Sequence, residues 1–124
     1  MKKRYILTVL GVCLASAYFV LQSGAMGNSG AGSVSYARDI QPIFNTRCDN
    51  CHMGNYPSEG LDLGSYESVM AGSQNGPVII PGSANDSLLI QLVTEGEMPK
   101  RGPHLTEVQI RLLTEWVNAG APNN

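Results

Sequence analysis

Two cysteines and a histidine fall within five consecutive residues, Cys48-Asp49-Asn50-Cys51-His52. On one helical turn, two thiols with this spacing can add across the two vinyl groups of a haem. The histidine that follows then lies beneath the ring, where its imidazole can ligate the iron. The motif therefore predicts covalent haem attachment through Cys48 and Cys51, with His52 as the proximal ligand.

The same thiols have two other interpretations, a zinc half-site and a redox dithiol. A structural zinc site needs four ligands, and beyond the motif the remaining candidate is His104, with His52 awkwardly placed as the neighbour of Cys51. A thioredoxin-like dithiol expects a βαβ setting with strands, which the sequence lacks. Haem attachment is therefore the favoured chemistry.

The N-terminal 25 residues have the pattern of an export signal. Three basic residues at positions 2–4 precede an uncharged, mostly apolar run over 5–21, and small residues follow at Ser23-Gly24-Ala25. We expect cleavage after Ala25. The alternative is an uncleaved anchor, through which the chain would associate with a membrane. Export agrees with the motif, because bacteria attach haem covalently outside the cytoplasm, and it predicts a periplasmic or otherwise exported protein.

The exported part of the chain is acidic. Residues 26–124 hold five of the basic residues and all ten acidic ones, a formal charge of −5. This charge argues against a nucleic-acid partner and is compatible with an electron carrier that docks on a basic patch. Because Cys13 falls in the apolar run, the exported part keeps two cysteines, and both belong to the motif.

Short helices separated by loops are the predicted secondary structure. A Gly/Ser-rich leader over 26–35 precedes a helix that Asp39 is expected to cap and that leads into Cys48. A loop over 53–64 is followed by short helices over 65–71 and 86–94. The last helix has the clearest boundaries, because Thr106 and Gln109 form a capping-box pair. The brief apolar run at 78–80 has no obvious partner strand.

From about residue 34 to residue 122, the chain resembles small monohaem c-type cytochromes of the planctomycete type, which are class I-like. The motif is the most specific part of the resemblance, and the order and spacing of the flanking stretches add to it. Those stretches are Asp39-Ile40-Gln41-Pro42-Ile43-Phe44, Gly60-Leu61-Asp62-Leu63, Val78-Ile79-Ile80-Pro81-Gly82, Ser87-Leu88-Leu89, Met98-Pro99 and Trp116-Val117-Asn118-Ala119-Gly120-Ala121. A glycine often follows the motif in this family, where Met53 stands here.

The resemblance implies an all-α cytochrome c fold over residues 36–122, in which N- and C-terminal helices cross around one covalently bound haem c. It also implies Met98 as the distal iron ligand. Met98 lies 46 residues after His52 in a glycine- and proline-flanked loop, where a chain can present a soft thioether. His104 is the rival and would give an iron with two histidine ligands and a lower potential.

The expected function is one-electron transfer between redox partner proteins, without enzyme activity. The sequence shows no nucleophile–base pair or carboxylate dyad, and a haem with both faces occupied leaves no open position for substrate. Two alternatives remain at this stage. One is a haem subunit docked on an oxidoreductase or respiratory complex, and the other is a haem-based sensor with a displaceable distal ligand.

Overall fold

The computed structural model describes residues 33–124. The expected signal peptide or anchor and most of the leader lie outside these residues. A π-helical turn, Tyr36–Ile40, leads into α1, Gln41–Arg47, and the motif helix α2, Asp49–His52, follows after Cys48. Beyond a 3-10 turn at Ser58–Gly60 come the last three helices, α3 Tyr66–Ala71, α4 Leu88–Thr94 and α5 Glu107–Asn118.

The described residues contain helices and no strands, which confirms the all-α prediction. The apolar run at 78–80 is irregular backbone whose Val78 and Ile79 are buried. None of the helices in this part of the chain is long and apolar enough to span a membrane.

Three of the helix starts show how local hydrogen bonding sets the boundaries. Thr106 and Gln109 form the predicted reciprocal capping box at the start of α5. Ser65 caps α3 in the same way. The expected Asp39 cap is wrong, since helical structure starts one turn earlier with Ser35 as the N-cap. The Asp39 carboxylate accepts a hydrogen bond from the Ser35 backbone N–H (2.8 Å), while the Ser35 hydroxyl accepts from the Arg38 N–H. The two side chains therefore cap this first turn together.

The N-terminal segment and α5 pack together around buried aromatic rings. The Tyr36 and Trp116 ring centroids are 5.4 Å apart, and Trp116 is fully buried. The indole N–H of Trp116 donates to the Pro122 carbonyl at 2.9 Å, and the Tyr66 hydroxyl donates to that of Ala121 at 2.8 Å. Both ends of the domain therefore meet at one core, as expected for the terminal helices of this fold.

Asn124 forms hydrogen bonds that connect the C-terminal end of the domain to its first helical turn. Its side-chain oxygen accepts from the Tyr36 N–H at 2.8 Å, and its backbone oxygen accepts from the Ala37 N–H at 3.0 Å and from the Ser35 hydroxyl at 2.7 Å. These bonds satisfy donors at the start of the helical segment that have no partner within it. The first turn is thus held both by the Asn124 hydrogen bonds and by the packing of Tyr36 against Trp116, and it in turn positions α1 and the motif.

Tyr36 predicts how stability depends on alkaline pH. Its hydroxyl donates to Gln41 Oε1 at 2.6 Å, and burial, with smaller contributions from Glu67, Tyr66 and Asp62, raises its pKa to about 12. An unfolded tyrosine ionises near 10, so Tyr36 stabilises the fold fully below pH 10 and loses that contribution as pH rises toward 12. Thermal melts between pH 8 and 12 should therefore show a shallower alkaline decline in Tyr36→Phe than in the wild type.

The control for this prediction is Tyr56→Phe, because the Tyr56 side chain is 96% exposed. The same hydroxyl is removed from a side chain that packs against nothing, so this variant should follow the wild-type profile. Identical profiles for wild type and Tyr36→Phe would contradict the prediction.

Candidate haem-binding site

A cavity of about 920 Å³ opens between the motif, α4 and the loop that follows α4. This volume lies toward the upper end of the range of about 300–1,000 Å³ found for small-molecule and cofactor sites. Apolar side chains form most of the wall. They are Phe44, Leu61, Leu63, Val78, Leu88, Leu89, Leu92, Val93, Leu105 and Leu113.

The two motif cysteines line this cavity as free thiols. Cys48 lies at the break between α1 and α2, where its φ of −125° and ψ of −12° depart from helical geometry. Burial, assisted by the nearby Asp49 and Cys51, raises the pKa of the Cys48 thiol to about 11. Cys48 is therefore a protonated thiol at neutral pH. Cys51 also lines the cavity, but its side chain is exposed.

The imidazole of His52 is oriented by a backbone carbonyl. Nδ1 lies 3.2 Å from the carbonyl oxygen of Leu61, and because that oxygen can only accept, Nδ1 must carry the hydrogen. The proton on Nδ1 leaves the Nε2 lone pair available as a metal ligand, which is the usual arrangement for metal-binding histidines. A second bond, from the Leu63 N–H to the His52 carbonyl at 2.7 Å, fixes the same loop against α2.

Met98 lines the cavity and His104 does not. The Met98 N–H donates to the Leu92 carbonyl at 3.1 Å, which ties the Met98 loop to the end of α4. His104 is exposed and lies beside Gly96. Met53 and Met70 pack against the hydrophobic core and are also absent from the cavity wall.

Charged side chains also line the cavity, and sequence reasoning gave none of them a definite role. Arg47, Lys100 and Arg101 are the cations, and Glu59 is the acid. Lys100 and Arg101 are exposed, whereas Arg47 is half-buried and its Nε is buried without a hydrogen-bond partner. The Glu59 carboxylate accepts from Gln74 (2.9 Å) and Asn75 (3.2 Å), which hold it at the rim.

These residues fit a covalently attached haem. Two free thiols, an imidazole with a free Nε2 and a thioether share one apolar cavity, and an unpaired guanidinium nitrogen suits the carboxylates that haem carries. Among the residues described, no group of three or more His, Cys, Asp or Glu side chains could hold a metal ion.

The Leu61 carbonyl and the Nε of Arg47 are the site atoms that sequence reasoning missed. A backbone carbonyl leaves no mark in the sequence, although Leu61 itself was singled out as part of a resembling stretch. The position of Arg47 directly before Cys48 was the available signal for its place at the site.

Comparison with known proteins finds the family that the sequence resembles. Residues 48–102 match the family model described as Planctomycete cytochrome C. Over 90 residues the chain is 30% identical to the hydrazine synthase subunit alpha of Kuenenia stuttgartiensis, covering 57% of this chain and 11% of that protein. The chain thus spans about a tenth of the length of this curated relative. No solved structure matches the chain.

Proposed function

We propose that this chain, whose residues 48–102 belong to the planctomycete cytochrome c family, is an exported carrier of single electrons that holds one haem between His52 and Met98. Covalent haem c and haem-based electron transfer follow from the family. The observation that carries the finer proposal is the shared cavity, which collects both thiols, the free Nε2 of His52 and the Met98 thioether.

Each residue has a defined task in this proposal. Cys48 and Cys51 form the thioether bonds that keep the cofactor attached. His52, held by the Leu61 carbonyl, would ligate the iron through Nε2, and Met98, which lines the same cavity, would supply its sulfur as the second ligand. When bound, haem c supplies the one-electron chemistry of its iron.

The apolar wall contributes by excluding water. Leu89 and Val93 of α4 are buried, as is Leu113 of α5, and all three line the cavity. A site that excludes water and keeps two ligands on the iron rearranges little when the iron gains or loses an electron, and this favours fast electron exchange. A neutral thioether ligand raises the reduction potential relative to a second imidazole.

The count of one cofactor rests on the single C-x-x-C-H string in the sequence. Whole-protein mass spectrometry and a potentiometric titration of the purified holoprotein test the proposal together. We expect the mass of the polypeptide plus one haem and a single transition that fits one electron. A second haem mass or the absence of a reversible transition would contradict it.

A second candidate function is a haem subunit of a larger enzyme. It is favoured by the similarity to a protein that is itself a subunit, that of hydrazine synthase, of which this chain covers 11%. Purification from the native source distinguishes the two. A carrier elutes alone at its own size, whereas a subunit stays with an oxidoreductase at constant stoichiometry through successive columns.

A further inference from the structure

The side-chain amide of Gln41, the first residue of α1, makes three hydrogen bonds. Its Oε1 accepts from the Tyr36 hydroxyl at 2.6 Å, and its Nε2 donates to the Leu63 carbonyl at 3.0 Å and to Asn45 Oδ1 at 2.8 Å. Both hydrogens of the amide nitrogen are therefore in use. Because the Leu63 carbonyl can only accept, Nε2 must face it, and the orientation of the whole amide is fixed.

Gln41 lies outside the wall of the haem cavity, but the backbone that it binds contacts His52. The Leu63 N–H donates to the His52 carbonyl at 2.7 Å, and two residues earlier the Leu61 carbonyl lies 3.2 Å from His52 Nδ1. Residues 61–63, the proximal loop, therefore hold both the backbone and the ring of this histidine. The bond from Gln41 fixes the same loop to α1.

Tyr36 gives the Gln41 amide a rigid support. The Gln41 backbone N–H donates to the Tyr36 carbonyl, so the two residues are joined through backbone as well as side chain. The Tyr36 ring is 4% exposed and lies between Tyr66 (centroids 5.1 Å apart) and Trp116 (5.4 Å). Close packing leaves such a ring few alternative positions. A continuous set of contacts thus connects the core where the domain ends meet to the proximal loop.

Asp62, the charged residue of the proximal loop, does not do the same work. Its carboxylate accepts from the Gly64 N–H at 2.8 Å, a bond between neighbours in sequence. That bond shapes the end of the loop without connecting it to a helix. Loss of the Gln41 amide would instead leave the Leu63 carbonyl without its side-chain partner and release the loop from α1.

We propose that Gln41 is a positioning residue for the haem iron, acting through the proximal loop on the hydrogen bond between the Leu61 carbonyl and His52 Nδ1. This inference rests on the proposed function, because it requires His52 to ligate the iron. Hydrogen bonds behind a metal-bound histidine fix its ring and raise its basicity. A more basic imidazole donates more charge to the iron, which favours the oxidised form and lowers the reduction potential.

The test compares Gln41→Leu with the control Gln91→Leu in the full-length holoprotein. Gln91 is exposed on α4 outside the cavity wall, and its amide donates to the Asn85 carbonyl at 2.7 Å, so the control also removes an uncharged amide with a backbone partner. We expect Gln41→Leu to shift the ratio of reduced to oxidised protein about threefold toward the reduced form, within the limit of about tenfold that one hydrogen bond sets. Threefold is about 28 mV for one electron. Gln91→Leu should keep the wild-type potential.

Nuclear magnetic resonance of the reduced holoprotein gives a readout that a loss of stability alone would not move. The Nδ1–H proton of His52 should resonate further upfield in Gln41→Leu, because its hydrogen bond to the Leu61 carbonyl is longer. It should keep its position in Gln91→Leu. Tyr36→Phe removes the donor to Gln41 Oε1 but leaves the bond to the proximal loop, so it should give a smaller shift in the same direction.

An unchanged potential together with an unchanged Nδ1–H resonance in Gln41→Leu would refute the positioning role. Where Gln41→Leu does not mature, Gln41→Asn, whose amide is one bond shorter, is measured with the same two outcomes. Wild-type protein without covalent haem, or without the shifted resonances of an iron-bound His52 ring, would instead refute the proposed function. The two failures are therefore distinguishable.

Discussion

Serine at both Cys48 and Cys51 should yield a protein that carries no covalently attached pigment. The hydroxyl of serine cannot form the thioether bonds that the motif supplies, and both thiols line the cavity. Acid–acetone extraction followed by mass spectrometry measures the result directly. We expect the polypeptide mass alone in the double variant, and the mass increased by one haem in the wild type.

Cys13→Ser is the matched control for this experiment. It replaces a cysteine of the same chain that lies in the N-terminal apolar run, far in sequence from the motif. The control should mature with full pigment. Pigment that stays with the double variant after extraction would contradict thioether attachment at Cys48 and Cys51.

Alanine at Met98 should leave haem attached but open one face of the iron. The thioether lines the cavity, whereas the exposed imidazole of His104 does not. We expect three changes: loss of the near-infrared band that marks methionine ligation of ferric iron, rapid carbon monoxide binding to the reduced protein, and a lower potential. The fall should be on the order of 100 mV, a part of the range of about 0.8 V over which axial ligands set potentials.

Two variants control for Met98→Ala. Met70→Ala removes a methionine that packs against the core but lies outside the cavity wall, and it should keep the band and the potential. His104→Ala tests the rival ligand and should also leave the spectrum unchanged. If His104→Ala loses low-spin character while Met98→Ala keeps it, the distal ligand is His104.

Features set by neighbouring residues were predictable from the sequence. The capping boxes at Ser65 and Thr106 depend on side chains three residues apart, and both helix starts were predicted where they occur. Asp39 shows the limit of this reasoning. The sequence pattern predicted its carboxylate as the cap of a following helix, whereas the structure shows it as the partner of Ser35 at a helix start one turn earlier.

Features that depend on long-range placement were less predictable. The motif identified the two thiols and the imidazole, because their chemistry depends on spacing within one helical turn. The carbonyl that orients His52 comes from Leu61, nine residues away, and the unpaired Nε of Arg47 becomes visible only when the α1 end is seen beside the cavity. Met98 was reached through family resemblance, and its place in the cavity wall supports the ligand role proposed for it.

The central claim is that His52 and Met98 hold one covalently attached haem. The most direct measurement is an optical spectrum of the oxidised and reduced protein, expressed with its leader in a host that matures c-type cytochromes. The account predicts sharp low-spin bands, pigment that survives acid–acetone extraction, and the near-infrared band of ferric iron bound to methionine. Covalent pigment without that band would contradict Met98 as ligand, and colourless folded protein would contradict the haem site itself.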